Sequence, residues 1–446
     1  MGYQKKIISG ACAMFLAFSF CACDSGSGSA SEPEQETGNR AVEETAAATD
    51  GETTLRYLGY GDEITYDATM EAVGRFEETH PGVKVEVEFA PTTTWGEFAN
   101  KLASRVGTGE DVDVVGVAIE GARLLVDKGL LAPLNTYMDT DPDAQDLKDD
   151  IAPVLLEGFT VDGQLYELPR EWNSMVIVYN TKMFDEAGIP YPSADWTWDD
   201  FVEIAQKLTT GEGEDKVWGF ANYYGVIQTM PWLITNGASI LDEAMENSVL
   251  NTPEAIEAMQ FVNDLNFKYA CSPVLEAGTD VIQLFAAGRI AMIGGWQGLF
   301  PTFKQTGFTD YDVQVWPANK EGVSRTIVGM GGMGITASSP NKDLAWELLK
   351  ELTSRETIQA LADQGAAIPC RESAGTSETF LSYAPNAKIM YEGAYTGTQM
   401  PASKNYPEVE QIFLRNFDTM MNTEMDVTEQ MQALHGELQS AMDAAR

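Results

Sequence analysis

Histidine is nearly absent from these 446 residues, with only His80 and His435 present, far apart in the chain. No His-rich zinc cluster can form from two such residues, and a Ser-His-Asp triad is disfavoured. Basic side chains are scarce as well, 28 against 68 acidic ones, so the formal charge is −40. That field repels nucleic acid and anionic membrane surfaces, and no basic stripe offsets it. Long apolar runs are also missing. The uncharged stretch from Ile7 to Ala22 is too short to span a bilayer comfortably. Nucleic-acid binding, zinc hydrolysis and serine hydrolysis therefore fall away. What remains is a chain with 44% hydrophobic residues, long enough for two or three domains and an ample core.

The N-terminus reads as an address. Lys5 and Lys6 precede the apolar stretch, which ends in Phe20-Cys21-Ala22-Cys23. This resembles a bacterial lipoprotein signal, which implies removal of residues 1–22 and acylation of Cys23; an ordinary cleaved signal peptide is the alternative. Residues 24–53 contain no aromatic residue and a single basic one. Such a segment cannot bury enough apolar area to offset its ordering entropy, so residues 23–53 are expected to be an acylated cysteine and a disordered tether. Of the five cysteines, Cys271 and Cys370 remain in the body. Two separate buried thiols are favoured over a disulfide.

From Thr54 onward, strands and helices alternate. Leu55 to Leu58 opens as a strand, and Met70, Val73 and Phe76 mark a helix. Val83, Val85, Val87 and Phe89 alternate with charged residues as a period-two strand. Phe98, Leu102 and Val106 mark a second helix, and Asp111 to Ile119 is an apolar run typical of a strand buried on both faces. This is a doubly wound α/β start. Trp196 to Phe201 predicts a helix start with Thr197 as N-cap, Asp200 as capping-box partner, and Trp196 with Phe201 as a hydrophobic staple. Ser339-Pro340 predicts a capped amphipathic helix with Pro at its first position, and the chain is mainly helical from about 341.

Several segments, taken in order, resemble the family-1 extracellular solute-binding proteins of ABC importers. They are Phe76-Glu77-Glu78-Thr79-His80-Pro81-Gly82-Val83, Asp127-Lys128-Gly129-Leu130-Leu131-Ala132-Pro133-Leu134, and Asp162-Gly163-Gln164-Leu165-Tyr166-Glu167-Leu168-Pro169 with Val178-Tyr179-Asn180-Thr181-Lys182. Phe285 to Met292 and Ala337 to Lys342 follow in the same order. The resemblance covers residues 54 to 372. It implies a periodic succession of α/β elements in two doubly wound lobes joined by crossing strands (periplasmic-binding-protein-like, type II), with a helical C-terminal region. The expected lobes are 54–170 plus 327–372, and 171–326 plus 373–446. It also implies a ligand, often a carbohydrate, held between the lobes, and permease subunits as partners.

A sugar presents hydroxyls in its plane and apolar C–H faces, so its receptor needs aromatic platforms beside polar groups. Aromatic residues at strand ends are the candidates. Tyr60 and Trp95 are expected to line the first lobe, and Tyr223, Tyr224, Trp232 and Asn236 the second. The resemblance places Glu120 at a strand end where a carboxylate meets sugar hydroxyls, and Trp172 and Asn173 at a lobe crossing. It places Trp296, after Gly294 and Gly295, where an aromatic stacks on a ring, and Arg371 after the second crossing. Each has a bland alternative in packing or helix capping.

Two patterns are set aside. Gly329 to Gly334 matches GxGxxG, but Ile335 to Ser338 is expected to continue as a strand, whereas a dinucleotide fingerprint must open a helix. Asp139 to Asp150 resembles a calcium loop with Ala144 where Gly is needed and Asp150 in place of Glu. The expectation is a monomeric, lipid-anchored receptor on the extracytoplasmic face of a bacterial membrane, without catalytic residues, metal or cofactor. It hands a sugar or oligosaccharide to a permease. A receptor for a peptide or polyamine, and a glycan-cleaving enzyme, are the alternatives.

Overall fold

Strict alternation and helical spacing produce the first five elements in the expected order in the computed structural model. It describes residues 53–61, 63–91, 94–222, 225–276, 278–365 and 367–446. Strand β1 (Thr53–Gly59), helix α1 (Glu63–Thr79), β2 (Val83–Phe89), α2 (Trp95–Gly107) and β3 (Val114–Ala118) follow one another. Strand β1 lies parallel between β2 and β3. All five residues of β3 are buried, as an apolar run without alternation requires. The strand is shorter than expected, because Ile119 already belongs to helix α3 (Ile119–Asp127). The signal segment, Cys23 and nearly all of the tether lie outside the described residues.

An Asp-Gly turn, with Asp162 and Gly163 both at positive φ, joins the short strands β4 (Thr160–Val161) and β5 (Gln164–Leu165). Strand β6 (Glu167–Ser174) then runs into β7 (Val176–Asn180) with only Met175 between them. These neighbours belong to different sheets. The remaining strands are β8 (Met292–Gly295), β9 (Tyr311–Gln314), β10 (Ile327–Ile335), β11 (Ile368–Pro369) and β12 (Thr398–Gln399). The first sheet has the order β11-β6-β10-β3-β1-β2, with β12 also paired to β10. The second is β8-β7-β9.

The glycine motif lies inside β10, antiparallel to both β3 and β6. No helix starts at it, so the dinucleotide reading has no support. The strand ends at Ile335, earlier than expected, and the next helix is Lys342–Leu352. Pro340 is thus not its first residue. Instead Ser339 Oγ accepts from the Asn341 amide at 3.0 Å and bonds Asp113 Oδ1, which pins the turn to the sheet. The calcium-like segment falls on the helices Asn135–Thr140 and Ala144–Asp150. Its Asp141 accepts from Trp346 Nε1 at 2.6 Å and pairs with Lys350 at 2.7 Å.

The Trp198–Leu208 helix starts as expected. The Thr197 side chain accepts from the Asp200 amide, and the Asp200 carboxylate in turn accepts from the Thr197 amide. Trp196 and Phe201 meet edge-on at 5.7 Å. The chain is mainly helical after 341, and the Tyr406–Asn422 helix packs on α2 and α3 as well as on Pro253–Phe267. Cys271 and Cys370 are separate, free and buried, and burial pushes both thiols up to about 12.

Candidate functional site

The first sheet delivers four expected residues to one place. Strand β1 ends before Tyr60, α2 begins at Trp95, β3 leads through Ala118 to Glu120 in the first turn of α3, and β6 carries Asn173. They line a cavity of about 190 Å³ together with Arg170, Glu171, Ile227 and the β10 segment Gly329–Gly331. The cavity adjoins a groove of about 740 Å³ that shares Tyr60, Trp95, Glu120 and Ile227 and adds Thr94, Gln228, Tyr406 and Glu410. The position follows from topology, since the C-terminal ends of parallel strands are where a doubly wound sheet leaves a crevice.

The Tyr60 ring is held edge-on against Trp95 at 4.8 Å and Phe98 at 5.6 Å. Its hydroxyl donates to Glu171 Oε1 at 2.9 Å. Burial, then the Glu171 charge, pushes the phenol well above its ordinary range, so it stays a neutral donor. Arg170 grips Glu171 through Nε and Nη2, lies 5.4 Å over the Tyr60 ring, and donates to Tyr57 Oη at 3.3 Å. The charges of Arg170 and Glu171 thus cancel within the wall.

Glu120 is different. It is only 3% exposed, and among the described residues its carboxyl has no ion pair and no bond to another side chain, only one from its own backbone N–H. Burial pushes its carboxyl up to about 7; its own backbone N–H works against this, and the charge of Glu410 adds to it. Glu410, also buried, accepts from the Gly96 amide at 2.9 Å, so the late helix caps the start of α2. Its carboxyl is raised as well, chiefly by burial. Asn173 Oδ1, on the cavity wall, is buried without a hydrogen-bond partner. The lining is rich in acceptors, flanked by aromatic faces, and its one cation is already neutralised.

The other expected residues sit elsewhere. Trp172 neighbours Asn173 on β6 but points to the opposite face, as strand alternation dictates. It is fully buried, donates Nε1–H to the Pro369 carbonyl at 3.1 Å, and meets Tyr391 edge-on. Trp232 is fully buried between Trp198, Phe201, Phe220 and Trp316 and donates to Asn222 Oδ1. Asn236 is spent on the Glu254 carbonyl, Glu257 and Asn319. Gly295 serves close packing, because a Cβ there would lie 2.5 Å from Val178 Cγ2. Trp296 is half-buried against the core and lines neither the cavity nor the groove. Arg371 is buried in ion pairs with Asp146 at 2.7 Å and Asp150 at 3.3 Å. Tyr223 and Tyr224 lie outside the described residues.

The sequence reading missed Arg170, Glu171, Ile227, Tyr406 and Glu410. The first two sit beside the expected crossing, and their polarity within an otherwise buried strand was a usable signal. Nothing local marks Tyr406 or Glu410.

A galactooligosaccharide-binding protein of Bacillus subtilis is 23% identical over 371 residues, 79% of this chain and 80% of that protein. An ABC substrate-binding protein of Listeria monocytogenes, solved with cycloalternan, superposes with a TM-score of 0.78 at 24% identity, covering 88% of this chain and 99% of that one. UgpB of Mycobacterium tuberculosis, solved with glycerophosphocholine, gives 0.74 at 19% identity over 89% and 100%. These likenesses show the fold, a two-lobed type II periplasmic-binding-protein architecture. The sequence model of the bacterial extracellular solute-binding proteins matches residues 60–359, and the chain belongs to that family.

Proposed function

We propose that this chain is the extracytoplasmic receptor of an ABC importer, capturing a sugar or oligosaccharide and passing it to the membrane permease. The observation that carries the reading is the cavity itself. Rigid aromatic faces from Tyr60 and Trp95 stand beside Glu120 and the unpartnered Asn173 Oδ1, the combination that sugar C–H faces and hydroxyls require. Tyr60, Trp95, Glu120 and Asn173 are the contacts. Residues 54–170 with 327–372, and 171–326 with 373–446, act as lobes that close on the sugar, and differential affinity for the closed form drives the closure. Acylation at Cys23 holds the monomer at the membrane.

A non-sugar solute is the second reading, because UgpB carries glycerophosphocholine on the same fold. Calorimetric titration of the full chain in detergent against mono- and oligosaccharides, with product analysis, separates the readings. Saturable 1:1 binding with the sugar recovered intact is expected. No binding by any sugar overturns the sugar reading, and cleaved product overturns the receptor reading.

A further inference from the structure

The cavity's charges do not balance. Among its lining residues and those of the adjoining groove, the single cation is Arg170, and Glu171 already consumes it. Glu120 and Glu410 face the same groove with no cation opposite either. Buried carboxylates elsewhere have partners: Asp150 pairs with Arg355 and Arg371, and Asp312 accepts from Tyr179 and Asn386. Among the described residues Glu167 also lacks a partner, but it lies beside Phe159 and Gly332 and lines neither the cavity nor the groove. Glu410 has a structural task at the Gly96 amide, whereas Glu120 has only its own backbone N–H.

Resting on the receptor reading above, we propose that the cargo is a saccharide bearing a free ammonium group, an unacetylated amino sugar, with the ammonium seated against Glu120 in the field of Glu410. A neutral sugar donates hydroxyls to these acceptors but brings no positive charge to offset Glu120 when it is ionised. An ammonium supplies three donors and the missing charge together. Asn173 Oδ1 offers a further acceptor on the same cavity wall, which Trp95 also lines. Two carboxylates are too few oxygens for a divalent cation.

Proton linkage is built into this arrangement. The titratable groups around Glu120 are Glu410 and Tyr406 on the late helix, Tyr60 beyond β1, and the Arg170–Glu171 pair on β6; Glu97 on α2 adds negative charge toward Glu410. All but Arg170 are acids. An arriving ammonium therefore expels the proton that Glu120 holds below neutrality.

The test is calorimetric titration of the full chain in detergent with matched sets of amine, N-acetyl and hydroxyl sugars. Glucosamine, N-acetylglucosamine and glucose, their galacto counterparts and their short oligomers form the sets, with spermidine as an ammonium lacking a sugar. The amine form is expected to bind at least about tenfold more tightly than both partners in its set. Near pH 6 it releases a proton, read from buffers of different ionisation heat, and near pH 8 it does not. Glu120→Gln, with melting as a folding check, is expected to reduce the amine-to-hydroxyl affinity ratio about tenfold, and Glu410→Gln to lower it in the same direction. An amine advantage below tenfold, or a ratio untouched by Glu120→Gln, overturns the inference while leaving the sugar receptor intact. Spermidine binding more tightly than every amino sugar overturns the saccharide part. If no sugar binds at all, the receptor reading falls first.

Discussion

Glu120 sits at the second position of a helix, where a carboxylate is normally favoured, yet the surrounding protein excludes water and holds another acid nearby. Its folded-state pKa, about 7, lies above its ordinary 4.5. The favourable contribution is therefore complete below the unfolded carboxylate range and is lost as pH rises through about 7. Without ligand, the wild-type protein should lose about 3 kcal/mol relative to Glu120→Gln between pH 4 and pH 8. Denaturant unfolding of both proteins across that range measures it, and a flat difference would refute the assignment. Glu120 was expected because the family resemblance marks the end of the apolar strand that precedes it. Its companion Glu410 was not, because proximity across 290 positions leaves no local trace. Trp172 and Asn173 show a different limit: adjacent residues of one strand face opposite ways, and the alternation over Glu171 to Ser174 says that the two differ but not which face meets the site.

Among the elements, β10 depends on the absence of side chains. At Gly331 a Cβ would run into the Tyr60 hydroxyl and lie 2.5 Å from Glu171 Oε1. Tyr60 cannot swing aside, because Trp95 and Phe98 hold its ring. Gly331→Ala should therefore cost about 1–3 kcal/mol in stability. It should also weaken ligand binding by about tenfold or more, since the Tyr60–Glu171 wall must break. Titration beside a melting curve reads both, and unchanged affinity would mean that this wall does not meet ligand. The capping box at Thr197 was readable because all of its partners lie within a few residues. The ends of β3 and the Lys342–Leu352 helix were misjudged because Ile119 suits either state and Ser339 is held by Asp113, far away in sequence.

At the scale of the molecule, the charge of −40 sets a self-repulsion that isolated ion pairs do not remove. Surface pairs such as Lys207–Glu203 and Lys388–Glu392 contribute little. The melting temperature should thus rise as sodium chloride is raised to about 0.5 M, where the screening length falls to roughly 4 Å. A fall would mean that the ion pairs outweigh the repulsion. The doubly wound start and the family resemblance were legible from periodicity and ordered segments. How residues near 410 return to the first sheet was not, because it depends on packing among helices of similar pattern.

The bond between the Gly96 amide and Glu410 spans 314 positions. At synthesis rates of about 5–20 residues per second, its two partners leave the ribosome roughly 16–60 s apart. Until the later one arrives, the groove beside Tyr60 and Trp95 lacks its Tyr406–Glu410 side. A nascent chain therefore completes this groove only once its late helix has been made.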